Sequence, residues 1–277
     1  MQPLISIVIA NYNYGRFLEE AILSVVTQDG FDRCELIVVD GGSTDTSVAV
    51  IKKYADRIAW WVSERDKGQS DAFNKGFAHA NGRFLTWLNA DDIFTKGALR
   101  AILNLIDRHP ECEWFTGSSL WADENLVITR CFCAHRFSML RAKYATISVG
   151  GPSSFFSKRL YEEVGRIDES LHYMMDTDLW TRFYRQAGVR YVRTRHNVWA
   201  YRQHEESKMS GADGHNTDKA QANRARAREE SARWNKRYGA YPRWLTRAVL
   251  IVSYSLIDNI IVRMRTLSWK GHYATEV

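Results

Sequence analysis

Cysteine is scarce and scattered. The four residues Cys34, Cys112, Cys131 and Cys133 in 277 positions form neither a disulfide framework nor a zinc pattern. Cys131 and Cys133 alternate within an expected strand and would share a face, yet a tetrahedral site needs two more ligands. All four read as packing residues of a reducing compartment. The N-terminal apolar run, Leu4–Ala10, has no basic leader and is too short for a signal peptide, so the chain is expected to stay in the cytoplasm. A Walker phosphate loop is absent, and so is the G-x-G-x-x-G dinucleotide fingerprint. Phosphate must then be held by a metal and basic side chains. Arg65 and Lys67 are candidates, or else solvated surface charges.

What is present suits a globular protein with a full core, with 45% hydrophobic residues. The net charge of +6 is unevenly placed: positions 233–277 hold eight Lys or Arg and two acids, so the remaining chain balances. A basic tail on a neutral body points to an anionic partner for the tail alone. Nucleic acid fits poorly, because the charges flank an apolar stripe and form no continuous basic face.

Strand-like and helix-like segments alternate. Leu4–Ala10, Glu35–Val39, Ile58–Ser63 and Phe84–Leu88 read as strands, with helices over Arg16–Thr27, Thr46–Ala55, Gln69–His79 and Thr95–His109. This pattern predicts βαβ units and a mostly parallel sheet. Every strand runs into a polar cluster: Asn11-Tyr12-Asn13, Asp40-Gly41-Gly42-Ser43, Glu64 to Gly68, and Asn89 to Asp92. Parallel strands would place all four on one edge, where ligands of open α/β sheets bind. Asp91 and Asp92 offer hard oxygens suited to Mg2+ or Mn2+, or they cap the helix that follows.

Later, Trp114–Trp121 and Asn125–Cys133 are expected to pair as strands, Ser153–Ser157 to form another strand, and Lys158–Val164 a short helix. Asp176 and Asp178 open a helix reaching about Ala187. Asp176 is placed to face a cleft, unless both acids simply favour the helix dipole. Asn216–Tyr238 reads as a charged, exposed helix. Arg243–Lys270 carries a broad apolar stripe flanked by basic residues and interrupted by Asp258 and Asn259. It reads as an amphipathic helix on an anionic membrane surface, or as a helix docked on the protein's own core or on a second copy in a homodimer.

The chain resembles the family 2 glycosyltransferases from about Ser6 to Ser210. The resemblance rests on Ile9 to Asn13, Val38 to Asp45, Asp66-Lys67-Gly68, Asp71 to Gly76, Asn89 to Asp92, and Met175 to Trp180. It implies a GT-A, Rossmann-like sheet flanked by helices over residues 1–215, with a nucleotide-binding half (1–110), an acceptor half (111–215) and a helical extension over 216–277. It implies a metal-dependent inverting transfer of one sugar from a nucleotide-diphosphate sugar, favouring UDP, to a saccharide or polyprenyl-linked acceptor at the inner membrane face. In this reading Asp176 is the catalytic base. Asn11, Tyr12, Asn13, Asp40, Ser43, Arg65, Asp71, Lys75 and Asp91 bind nucleotide. Asp92, Asp91 and His204 hold Mn2+ or Mg2+, and Asp66, Lys67, Gly151, Asp178 and Trp180 contact donor or acceptor. Two departures stand out. Met175 replaces the glutamate before the base, and the Gln-x-x-Arg-Trp element of processive polymerases is missing. The alternatives are a non-catalytic nucleotide-sugar-binding protein and a sugar nucleotidyltransferase, though the latter would be expected to carry a glycine- and lysine-rich loop near Ser6–Asn13.

Overall fold

The computed structural model describes residues 2–134, 137, 139, 149–186, 188–208, 218–239 and 264–276, with backbone alone for 218–220. The strands are β1 (Ile5–Asn11), β2 (Cys34–Asp40), β3 (Trp60–Ser63), β4 (Phe84–Asn89), β5 (Ile93–Phe94), β6 (Trp114–Ala122), β7 (Ile128–Phe132), β8 (Ser154–Ser157) and β9 (Tyr191–Arg202). The helices are α1 (Gly15–Val26), α2 (Ser47–Lys53), α3 (Gln69–Ala78), α4 (Ala98–Arg108), α5 (Lys158–Glu163), α6 (Met175–Arg185) and α7 (Asp218–Tyr238).

One sheet in the order β3-β2-β1-β4-β8-β6-β9-β5 takes in both halves of the chain, with β7 beside β6. β1, β2, β3 and β4 are parallel. β8 runs against β4 and β6, and β9 runs parallel to β6. The C-terminal ends of β1 to β4, β6 and β9 therefore share an edge. This is a curled, mostly parallel GT-A sheet.

The first strands are apolar on both faces because both are covered. Ile5, Ile7 and Ile9 meet α1 and α4 in one layer through Ile22, Leu99 and Leu103. Val8, Val39 and Trp87 meet α3 and α6 in the other through Phe73, Phe77 and Leu179. A Cβ on Gly76 would lie 2.4 Å from Val8 Cγ1, so α3 rests directly on β1.

Three expectations change. The helix after the paired acids starts at Ala98, because Ile93–Phe94 pairs with β9 first and Gly97, at φ +75°, turns the chain. Asp91 and Asp92 are thus not its cap. The strand β9 is absent from the sequence reading. Its first half carries the exposed Arg193, Arg195 and His196, which hide the strand period.

The third change concerns the tail. Of the expected amphipathic segment, residues 240–263 lie outside the described residues. Its end docks on the protein's own sheet. Tyr273 bridges Val127, and Ala274 N–H donates to the Leu126 carbonyl at 2.8 Å. Arg265 donates to Asn197 Oδ1 at 2.7 Å. Among the described residues no helix is long and apolar enough to cross a membrane.

Candidate active site

A cavity of about 950 Å³ opens at the shared C-terminal edge. β1 delivers Asn11, whose Nδ2 donates to Asp40 Oδ1 at 2.6 Å and to Ser43 Oγ at 3.2 Å. Asp40 lies beneath, fully buried. Burial alone would raise its pKa, but hydrogen bonds from Ser43, Ser63 and Asn11 outweigh it and hold the carboxyl below its usual value. Asn13, at φ +57°, donates its N–H to Ser43 Oγ and accepts from Thr44 N–H, each at 2.8 Å. Tyr12 is 61% exposed at the rim. A planar group could lie against it, over a floor of fixed hydrogen-bonding groups.

The paired acids separate in role. Asp92 N–H donates to the Asn89 carbonyl, closing a turn. Asp92 is fully buried, and its two oxygens accept from Arg202 N–H at 2.9 Å and Asn89 Nδ2 at 2.7 Å. Burial, then the neighbouring charge of Asp91, push its pKa well above the ordinary carboxyl value. It locks the turn and does not line the cavity. Asp91 does line it, with Oδ2 3.1 Å from His204 Nε2. The strand that sequence reasoning missed is what brings these groups together, since β9 ends in Arg202 and leads directly to His204. Tyr14 and Phe17 pack against the imidazole at ring-centroid distances of 5.5 and 4.8 Å.

Across the cavity stands Asp176 at the start of α6. Its Oδ1 accepts from Thr177 N–H at 2.6 Å and Thr177 Oγ1 at 3.2 Å. Burial raises its pKa, against those hydrogen bonds and the charge of Lys208. Asp91 and Asp176 thus line one cavity, with Asp66, Gly151 and Trp180. Gly151 runs flat over Trp87, where a Cβ would sit 2.6 Å from Cζ2. Trp180 stacks on Trp87 at 5.5 Å and an interplanar angle of 5°.

Other expected site residues stand away from the cavity. Arg65 and Lys67 are exposed outside it. Asp71 accepts from Lys67 N–H at 3.0 Å, and Lys75 pairs with Glu64 at 2.7 Å. Asp178 is 1% exposed and is bound by Arg182 at 2.7 Å and Tyr238 Oη at 2.8 Å. These three organise α3 and α6 and do not face a ligand.

Lys208 went unrecognised. Its Nζ donates to Gln69 Oε1 at 2.8 Å and to the His172 carbonyl. Burial lowers its pKa to about 8, against the attraction of Asp176, Glu230 and Asp91. A lysine in a polar loop reads as a surface charge, and only its place four residues after His204 hints otherwise. Asn223, Ala227 and Ser231 of α7 also wall the cavity, although that helix reads as an exposed appendage.

The residues present fit a divalent ion. A carboxylate and an imidazole stand together at the cavity wall, and the buried His204 Nδ1 has no hydrogen-bond partner. Mixed oxygen and nitrogen donors suit Mn2+. The group His109, Glu111 and Cys112 also has its ligand atoms within 4.8 Å of one another. It precedes β6 at the opposite edge, and burial pushes the Cys112 thiol up to about 11.

Residues 6–165 match glycosyl transferase family 2. An uncharacterized glycosyltransferase of Rickettsia prowazekii is 26% identical over 194 residues, 68% of this chain and 60% of that protein. The S. aureus TarS fragment 1–349, solved in complex with UDP-GlcNAc, superposes with a TM-score of 0.60 at 20% identity, over 75% of this chain and 60% of that one. The mannosyltransferase PcManGT from Pyrobaculum calidifontis, solved with GDP-Man and Mn2+, gives a TM-score of 0.57 at 17% identity, over 95% and 84% of the two chains. The chain spans about 60% of the length of the Rickettsia protein and of the TarS fragment.

Proposed function

Because this chain belongs to the family 2 glycosyl transferases, we propose that it moves one sugar from a nucleoside-diphosphate sugar to an acceptor hydroxyl, inverting the anomeric carbon. It is a glycosyltransferase enzyme. The observation that carries the reading is the shared cavity, with Asp91 on one wall and Asp176 on another. The base rests against Tyr12 and Asn11, above Asp40. The diphosphate lies by Asp91, His204 and Lys208, whose ammonium has three donors and commits two of them to Gln69 and His172.

Asp91 and His204 would hold a divalent ion shared with the diphosphate. When bound, it supplies Lewis-acid stabilisation of the leaving group. Asp176 accepts the proton of the acceptor hydroxyl as its oxygen bonds to the anomeric carbon. The bond from that carbon to the diphosphate oxygen breaks, and its electron pair leaves with the nucleotide. A raised pKa brings the base nearer to an alcohol's needs while leaving it ionised at neutral pH.

UDP is our preferred nucleotide, a saccharide or polyprenyl-linked saccharide our preferred acceptor, and the basic tail our preferred contact with anionic membrane. Nucleotide release from UDP-GlcNAc and GDP-Man, with Mn2+ and with excess EDTA, tests the core of this. Release that survives EDTA removes the metal from the scheme. Flotation with anionic vesicles, comparing the full chain with a truncation at about Pro242, tests the tail. Equal binding by both removes it as anchor.

A further inference from the structure

The segment that carries Asp176 does not hold itself in place. α6 begins at Met175 with no side-chain cap, and the first amide groups of a helix have no partner within it. Their partner comes from α7, beyond residues 6–165. On α7, Asn223, Ala227, Glu230, Ser231 and Trp234 recur at helical spacing and face the body. Asn223, Ala227 and Ser231 reach the cavity, Trp234 is 3% exposed, and Glu230 is fully buried while its neighbour Glu229 is exposed.

The Glu230 carboxylate accepts from three successive amides. His172 N–H reaches its two oxygens at 3.0 and 2.9 Å, and Tyr173 and Met174 N–H reach Oε2 at 2.6 and 3.1 Å. Arg226 Nε lies 3.4 Å away. A buried carboxylate is costly unless it is paired and hydrogen-bonded. This one sits where the start of α6 concentrates amide donors. The same turn is gripped by Lys208 at the His172 carbonyl and by Ser70 Oγ at the Leu171 carbonyl, 2.7 Å.

We propose that Glu230 is a positioning residue for glycosyl transfer, fixing Asp176 against the cavity by holding the amides of residues 172–174. The inference rests on Asp176 being the base. Its grip ends two residues before that side chain, and a displacement of about 1 Å at a reacting group costs on the order of 10²-fold in rate. The donor side of the cavity is built on β1, β2 and β4 and does not depend on it.

The test uses the full chain with Glu230→Ala, Glu230→Gln and Asp176→Asn. Nucleotide release is followed with Mn2+ and whichever of UDP-GlcNAc and GDP-Man the wild type turns over faster. UDP or GDP affinity and melting temperature are measured alongside. Glu230→Ala is expected to lose on the order of 10²-fold in kcat with donor KM and nucleotide affinity within about twofold of wild type, the pattern of an interaction lost in the transition state. Glu230→Gln keeps one acceptor but sets an NH2 against the amides, and falls between. Wild-type kcat in folded Glu230→Gln overturns the inference, as does a loss that follows only the folded fraction. Slow Asp176→Asn beside normal Glu230→Gln defeats this inference alone, whereas normal turnover by Asp176→Asn defeats the base assignment and this inference with it.

Discussion

Lys208→Met keeps the length of the side chain and removes its charge. In the free protein that charge is a burden, since burial lowers the pKa from 10.5 to about 8. At 1.36 kcal/mol per unit, the shift corresponds to about 3 kcal/mol disfavouring the cation. Methionine removes that cost, but leaves Gln69 Oε1 and the His172 carbonyl without their donor, at about 1–3 kcal/mol each. The two effects are of similar size, so the melting temperature should change little. Binding should not be balanced in this way. A hydrogen bond to a charged group contributes about 1.5–3 kcal/mol, so UDP affinity with Mn2+ should weaken about 10–150-fold. The sign with pH follows. The cation is present below about 8 and lost above it, so wild-type affinity falls as pH rises through that range and the variant's stays flat. By linkage, the unfolded chain binds the extra proton between about 8 and 10.5, so this residue's burden on stability is lifted as pH rises through that window. Isothermal titration and thermal melting across pH 7 to 10 check both parts. Unchanged UDP affinity, or affinity and stability falling together, would refute the reasoning.

The two adjacent acids should behave differently. Asp91→Asn should weaken Mn2+-dependent nucleotide binding by at least about 10–100-fold, the loss seen even for supporting partners of a metal site. Asp92→Asn should show mainly as about 1–3 kcal/mol of lost stability from its mismatched turn, and similar binding losses in both variants would contradict the assignment. The raised pKa of Asp176 places the acid limb of kcat above the ordinary carboxyl value near 3.9. Activity is lost as pH falls through that pKa, because the base must be ionised, and a pH–rate profile flat to pH 4 would contradict it.

The sequence displays β1 to β4 because their residues are apolar on both faces and end in polar clusters, a pattern that local chemistry writes directly. β9 is disguised by Arg193, Arg195 and His196, which stay exposed while the second half of the strand is buried. Asp91 and Asp92 are indistinguishable as neighbours in sequence. The turn closed by Asp92 N–H, and β9 arriving with Arg202, decide which carboxylate faces the cavity. Asp71 and Lys75 belong to the resembling motif, yet α3 directs them to Lys67 N–H and Glu64. Lys208 and Glu230 are invisible without the fold, since each owes its role to backbone groups more than 30 residues away.

Asp176→Asn is the most direct measurement, with UDP binding and sugar transfer followed on the same preparation in the presence of Mn2+. The account predicts wild-type UDP affinity with turnover lower by about 10²–10⁴-fold, the usual contribution of a positioned base. Undiminished turnover in the folded variant would contradict it.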